Sequence, residues 1–336
     1  MGGVDISAIL VNWNTRDLLL RCVTTLGSAL RDHSHEVWFV DNGSQDGSVE
    51  AVRRHFPAVH IIANEDNRGY AGAVNQALAC VRGRYVLLLN TDALPMADAV
   101  THLFAFLERH PGTAAAGGQL LCPDGSRQNS VANFPSVSTE LLNKSFLRMF
   151  FPRRFPGKRR DSLDPLEVES LVGACLLVRR GVIDEIGPLD ERYFFFLEET
   201  DWCYRMRQAG YGIYHVPRAR IYHLQGASAR GFEAEARIEY HRSRLRFFKK
   251  HRGPLEAGLV AAGGMIRVGV DTVTLGILSL LPGLGKSGLR RRSEVARRLL
   301  GWYLHGCPAV DGLPGRSGGP VSDRADRADK ADKANS

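Results

Sequence analysis

Over the first 90 residues, continuous apolar runs alternate with stretches of helical period. ISAILVNW (6–13), EVWFVD (36–41), VHIIAN (59–64) and YVLLLN (85–90) are apolar runs of strand length. Between them lie candidate helices. Residues 16–31 bring Leu18, Leu19, Cys22, Val23, Leu26 and Leu30 near one face, and 46–56 and 70–81 follow the same period. Strands apolar on both faces and separated by helices predict a parallel sheet covered on both sides, since each βαβ crossover lays a helix on the sheet. The expectation is a doubly wound, mostly parallel α/β sheet, whose ligands bind at the carboxyl ends of the strands.

Polar residues collect at those ends: Asn12 to Asn14, Asp41 to Asp46, Asn64 to Gly69, and Asn90 to Asp92. Turn formation explains Asn, Asp and Gly as composition. It does not explain why acids follow two of the strands. No GxGxxG follows the first strand and no GxxxxGK[ST] occurs, which removes the main signal for a dinucleotide oxidoreductase or a P-loop nucleotidase.

Further on, 122–166 reads as an irregular basic excursion, VESLVGACLLVRR (168–180) resumes strand character, and a helix near 198–209 carries an acidic cluster. Residues 255–285 are apolar but interrupted by Arg267, Asp271, Pro282 and seven glycines. The charge-free run 272–285 is shorter than the roughly 20 residues a membrane span needs. A membrane-surface or re-entrant helix and a docked helical hairpin both fit. The last residues, SDRADRADKADKANS, form a charged low-complexity tract of disordered composition. The domain expectation is a catalytic domain at 1–250, an apolar and basic helical region at 251–310, and a disordered tail at 311–336.

The net charge of +8 is clustered. Residues 144–160 hold seven basic side chains and four phenylalanines, 242–252 hold six basic groups, and 290–298 hold five arginines. Such clusters suit an anionic membrane surface or a phosphorylated substrate, or are simply solvated faces. No nucleic-acid-binding module is recognisable, so no nucleic-acid partner is expected. The six cysteines are scattered without metal-site spacing and read as reduced thiols in a cytoplasmic protein. No basic segment followed by an apolar one precedes Ile6, which argues against a signal peptide.

The acids suggest a chemistry. Asp92 ends LLLNTD at a strand tip, where it can hold a hard cation through oxygen or serve as a helix N-cap. His223 is a possible second ligand or a core histidine. Glu198 and Glu199 follow the aromatic run Tyr193 to Phe196. Partial desolvation beside aromatic groups would raise a carboxylate toward the pKa of a general base. A charged first helical turn is the plainer account, and it suits Asp201 with Arg205 as partner.

ILVNWNT, VDNGSQDGS, NRGYAGAVNQAL, YVLLLNTD, LVGACLLVRR, LDERYFFFLEETDWCYRMRQAGY and IYHLQGAS resemble, in order, the blocks of the inverting family-two glycosyltransferases of the A-type fold. The branch they resemble is that of bacterial rhamnosyltransferases of cell-wall and O-antigen assembly. The resemblance covers about residues 5–250. It implies that Asn12 lines the nucleoside pocket, that Asp41 bonds the base with Asp46 in the supporting turn, and that Asn67, Gly69 and Asn75 border the donor. It implies Glu199 as catalytic base with Glu198 beside it, Asp201 and Trp202 toward the acceptor, and Gly173 and Ala174 near the donor sugar. Asp92 and His223 would hold a divalent cation, Mn2+ or Mg2+. The first acid of the family's DxD is Asn90 here, which removes one charge from the metal site.

The expectation is therefore an inverting, metal-dependent hexosyltransferase, peripheral on the inner face of the cell membrane. It would move a sugar from a nucleotide-sugar donor to a saccharide or lipid-linked acceptor of the cell surface. Rhamnose from dTDP-rhamnose is the favoured donor. A UDP-linked galactose or N-acetylglucosamine, or a non-catalytic nucleotide- or glycan-binding module, are the alternatives.

Overall fold

The computed structural model describes residues 3–142, 149–150, 163–224, 232–280, 286–308 and 313. The chain divides into two compact units. The first comprises residues 1–134, 152–194 and 198–228, and the second comprises 135–151, 195–197 and 229–336.

In the first unit the expected alternation is present. Strands β1 (Ile6–Asn12), β2 (His35–Asn42), β3 (His60–Asn64) and β4 (Tyr85–Asn90) alternate with helices α1 (Arg16–Leu30), α2 (Ser48–His55) and α3 (Gly69–Leu78). Further strands are β5 (Ala93–Pro95), β6 (Thr113–Leu121), β7 (Val131–Ala132), β8 (Leu166–Glu167), β9 (Ser170–Leu171), β10 (Cys175–Arg179) and β11 (Gly212–His223). The main sheet runs β3-β2-β1-β4-β10-β6-β11-β5. The first four strands are mutually parallel, while β10 lies antiparallel between β4 and β6.

Burial follows the strand period. Ile6, Ala8 and Leu10 face one core with Leu19, Leu26, Leu103 and Phe106. Ile9 faces the other, with Val74 and Ala77 of α3 and with Val182, Trp202 and Met206. Helices α1 and α4 (Ala99–Arg109) thus cover one face. Helices α3, α6 (Arg180–Ile186) and α7 (Glu198–Gln208) cover the opposite face. Each fully buried aliphatic side chain contributes about 1.5–3 kcal/mol against water.

Strand β11 is the irregular one. It pairs with β6 in parallel from Val216↔Gly118 directly to Arg220↔Gln119, so residues 217–219 bulge out of the ladder. Pro217 lacks the N–H that a regular ladder needs, and a bulge is where a strand tolerates it. Gly118 lies beneath: a Cβ there would sit 2.3 Å from the Ala219 carbonyl oxygen. Past the bulge, β11 pairs antiparallel with β5, setting His223 opposite Ala93.

The second unit is helical, with α5 (Val137–Leu141), α8 (Glu233–His251), α9 (Pro254–Leu280) and α10 (Lys286–Leu304). Its core gathers Phe248, Val260, Leu299, Trp302 and Tyr303. The unit resumes at Ala229, so α8 belongs to it. The glycines of 255–280 do not break α9, which continues through Arg267 and Asp271 as one helix of 27 residues. Residues 254–279 are long and apolar enough to cross a membrane by length and composition. The basic segment 144–160, apart from Met149 and Phe150, and the charged tail, apart from Leu313, lie outside the described residues.

Gly118→Ala is expected to lose about 1–3 kcal/mol, the usual range for overpacking a tight site. Urea unfolding should show a lower midpoint at unchanged slope. Transfer activity should fall more than stability explains, because the bulge determines where His223 ends.

Candidate active site

Registers Asn12↔Asp41, Asn42↔Asn64 and Val11↔Asn90 align the polar tips of the first four strands along one edge. The sheet order reverses beside β1, where a doubly wound sheet opens a crevice. Asn12 is buried there, and its side-chain N–H group donates to Asp41 Oδ1 (3.3 Å), Ser44 Oγ (3.0 Å) and Ser48 Oγ (3.0 Å). Asp41 Oδ2 accepts from the Ser44 amide at 2.8 Å. Asp46 accepts from the Arg16 amide and from Ser48, so it ties the start of α1 to that of α2. These residues build the floor of the crevice through bonds among themselves.

Asn67 and Gly69 shape the entry to α3. Asn67 Oδ1 accepts from the Gly69 amide at 2.9 Å. Gly69 has φ +77°, and a Cβ there would meet the Phe194 carbonyl oxygen at 2.5 Å. The Tyr70 amide donates to that same oxygen at 2.7 Å. Asn75 holds the chain five residues upstream, accepting from the Leu189 amide and donating to Leu189 O and Glu191 Oε1. Asn67, Gly69 and Asn75 thus dock the segment that leads to the acidic block.

That block opens α7. Phe196 (φ 71°) and Leu197 (φ 66°) are both left-handed immediately before Glu198. For non-glycine residues this conformation costs of order 1–3 kcal/mol each. Phe195–Leu197 belong to the second unit, where Ser243 Oγ donates to the Phe195 carbonyl (3.0 Å) and Phe196 meets Tyr240 edge-on. Glu198 is buried. Burial raises the Glu199 carboxyl to about 6, against hydrogen bonds from the backbone of Thr200 and Gly173 that favour its charge. Gly173 leaves the room: a Cβ there would lie 3.2 Å from Glu199 Cγ.

The aromatic run is split between the units. Tyr193 and Phe194 are core residues of the first unit, and Phe195 and Phe196 are counted with the second. Sequence reasoning also missed Tyr70, within the NRGYAGAVNQAL block. Its phenol is pushed up by burial and then by the charges of Glu198, Glu199 and Asp92, so all three acids act on one side chain.

Asp92 and His223, 131 positions apart in sequence, meet: His223 Nε2 lies 3.4 Å from Asp92 Oδ1. The Leu224 amide donates to the Asp92 carbonyl at 2.9 Å. Gln128 holds the ring, and sequence reasoning did not find it. Its Nε2 donates to the His223 carbonyl (2.6 Å), which turns its Oε1 toward His223 Nδ1 (2.9 Å). Nδ1–H therefore donates to Gln128, and Nε2 faces Asp92. An oxygen and a nitrogen donor side by side, with the ring held from behind, suit a divalent cation. Among the described residues no group of three His, Cys, Asp or Glu could hold a metal. A cation at Asp92 and His223 would thus complete its shell with water and substrate oxygens. The Asn90 amide donates to the Ala174 carbonyl at 3.0 Å, which joins the strand-four tip to the Gly173–Ala174 segment.

The two residues expected toward the acceptor are both buried. Asp201 is fully buried and ion-paired with Arg205 at 3.0 Å. Trp202 is fully buried in the core, its indole N–H donating to the Gly187 carbonyl at 3.0 Å. Trp202 and Arg205, which donates to the Ile186 and Pro188 carbonyls, hold α7 to the loop before it.

Comparison with known proteins bears on the family and the fold. The sequence profile of "Glycosyl transferase family 2" matches residues 7–187. The chain belongs to this family. It is a glycosyltransferase with the A-type fold. One similar protein is the N-acetylglucosaminyl-diphospho-decaprenol L-rhamnosyltransferase of Mycobacterium tuberculosis, 30% identical over 233 residues, covering 65% of this chain and 76% of the relative. The rhamnosyltransferase WbbL of Escherichia coli is 22% identical over 254 residues, covering 73% of this chain and 92% of the relative. Among solved structures, GalNAc-T7 with UDP, GalNAc and Mn2+ shares the fold at TM-score 0.56 and 14% identity. That match covers 90% of this chain and 56% of the other. Within the family, the rhamnosyltransferase-like branch is the one these relatives support.

Asp201→Asn is expected to destabilise the glycosyltransferase by about 1.5–3 kcal/mol, the range for a hydrogen bond to a charged group. The folded fraction should keep its acceptor KM. A KM change without a stability change would return Asp201 to the acceptor surface.

Proposed function

We propose that this glycosyltransferase is inverting and cation-dependent, and that it moves rhamnose from dTDP-rhamnose onto a lipid-linked or growing cell-surface saccharide. It would work at the cytoplasmic face of the membrane as a peripheral protein. The observation that carries the reading is Glu199: a carboxyl raised to about 6 by burial, sharing Tyr70 as neighbour with Asp92, which pairs with His223. The named activity of the mycobacterial relative supports the donor sugar and the diphospholipid acceptor.

In this mechanism Glu199 accepts the proton of the acceptor hydroxyl. The hydroxyl oxygen attacks the anomeric carbon from the face opposite the diphosphate, and the carbon–oxygen bond to that group breaks with its electron pair. Gly173 lets the base approach, and the Thr200 and Gly173 amides keep it oriented. A divalent cation, held by Asp92 and His223, would supply positive charge to the leaving diphosphate. Asn12 and Asp41 would bound the nucleoside.

The membrane reading rests on α9. Leu255, Leu259, Ile266, Val270, Val273 and Ile277 are all exposed, by 50–78%, at helical spacing along one side. Val260 and Val268 are buried. An exposed apolar stripe of this length on a chain of net charge +8 suits the surface of an anionic bilayer.

The Glu199 value has a defined pH signature. The base is protonated below about pH 6, so kcat should fall about tenfold per unit on that acid limb. Glu199→Gln should lose about 10²–10⁴-fold in kcat with donor binding retained. A carboxyl raised in the folded state costs stability once ionised. The Gln variant should therefore be more stable than the parent at pH 8, by roughly 1–2 kcal/mol, and equal to it at pH 4. Thermal melts at both pH values test this, and equal melts at pH 8 would return the carboxyl to its ordinary range.

Gln128→Ala should weaken cation-dependent binding of dTDP-rhamnose about 10–100-fold by releasing the His223 ring. Titration of donor with Mn2+, with Mg2+ and with chelator, against UDP-sugars in parallel, measures the effect. Undiminished transfer after exhaustive chelation would sink the cation's part.

A further inference from the structure

The second unit holds an open cavity of about 980 Å³ among α5, α8, α9 and α10, and none of its lining residues is one assigned to sugar transfer. Its lining combines charged and apolar side chains. Arg237, Arg244, Arg267, Arg291 and Arg292 contribute guanidiniums, and Leu275 and Leu299 contribute hydrocarbon. Two of these arginines are committed. Arg244 is buried, bonded to Glu140 (3.0 Å) and to the Tyr303 hydroxyl (3.1 Å), and Arg291 pairs with Glu233. Among the described residues, Arg237, Arg267 and Arg292 have no ion pair, and Asp271 is the lining acid outside those pairs. Arg244, Arg237 and Arg267 converge on His241 closely enough that, after burial, they help push its imidazole down to about 3. The ring is therefore neutral at ordinary pH and the field there is positive. Ile266 lines the cavity and also belongs to the exposed stripe of α9, so the apolar stripe and the basic recess adjoin.

We infer that this cavity is a binding site for the phosphate headgroup of an anionic lipid, with Arg237 and Arg267 as its ligands and the lipid chains running onto the α9 stripe. Guanidinium forks match phosphate oxygens bidentately, and unpaired ones give up no internal partner to do so. The apolar part of the lining selects an amphiphile over a soluble anion. The inference deepens the lipid-linked reading of the proposed function and rests on it for what the site is for. The binding chemistry itself rests on the cavity alone.

The experiment uses the full chain without donor. Binding of dioctanoyl phosphatidate, below its micelle concentration, is measured beside inorganic pyrophosphate and uncharged dioctanoylglycerol. We expect saturable binding of the phosphatidate, at least tenfold tighter than pyrophosphate and absent for the glyceride. R237Q/R267Q should weaken it at least tenfold, and R237K/R267K should recover part of the loss with unchanged thermal melts. Pyrophosphate binding as tight as phosphatidate, with the same arginine dependence, would support the phosphate site and overturn its lipid source. Phosphatidate binding that is absent, or unchanged in R237Q/R267Q, overturns the site. Transfer from dTDP-rhamnose to a water-soluble acceptor is followed in the same variants and should be unaffected. A parent protein that binds phosphatidate through these arginines but transfers no sugar would refute the proposed function and leave this site standing.

Discussion

The catalytic unit depends on an offset in one strand. β11 begins in parallel register with β6, loses that register over residues 217–219, and ends antiparallel to β5. Without the bulge its last residues would run three positions out of step with β6. The device is local: a proline that cannot donate to the ladder, over a glycine with no Cβ to obstruct it. Its consequence is distant, because it decides that His223 stops beside Asp92. Gln128 then fixes the ring from the far side. A sheet edge made of parallel strands thereby acquires an imidazole beside the Asp92 carboxylate that parallel topology alone would not deliver.

Glu199 is held by opposing effects, of which burial is the larger. Burial disfavours its charge, while a helix N-terminus and backbone amides favour it. The result near 6 is that of a group ionised at neutral pH yet still basic enough to accept a proton. Reaching that position requires two consecutive left-handed residues, Phe196 and Leu197. Such strain persists only where surrounding contacts over-determine it. Here the neighbours supply them: Gly69 and Tyr70 grip Phe194 on one side, and Ser243 bonds the Phe195 carbonyl on the other.

Much of this was legible in the residues, for reasons that differ between elements. The four parallel strands were legible because burial on both faces leaves continuous apolar runs. The polar tips were legible because they recur at the ends of four successive strands, which turn chemistry at any one of them does not require. Strand direction was not. CLLVR reads alike whether parallel or antiparallel, so β10's insertion between β4 and β6 has no local signature. Gln128 was not legible either, since its role exists only through a partner 95 residues away. The full burial of Asp201 and Trp202 was not legible either, because a charged helical turn reads alike whether its side chains meet solvent or, like these two, pack inside.

The helical unit shows the same limit from the other side. Glycines at 258, 263, 264, 269 and 276 read as interruptions, yet α9 is continuous through all of them. Each glycine costs about 1 kcal/mol relative to alanine in a helix interior. Two of them have a packing reason. A Cβ at Gly264 would meet the Tyr303 hydroxyl at 2.5 Å and the Arg244 guanidinium at 2.8 Å, and one at Gly263 would meet Leu141 at 2.3 Å. These glycines let α9 close onto α5, α8 and α10, beside Arg244, which also lines the basic cavity. The helix thus gives up intrinsic stability at Gly263 and Gly264, where it approaches its neighbours, whereas a Cβ at Gly258, Gly269 or Gly276 would meet nothing within 4 Å. Val260 and Val268 are buried while Leu255, Ile266 and Val273 stay exposed, so size alone does not decide which apolar residues of α9 pack inward.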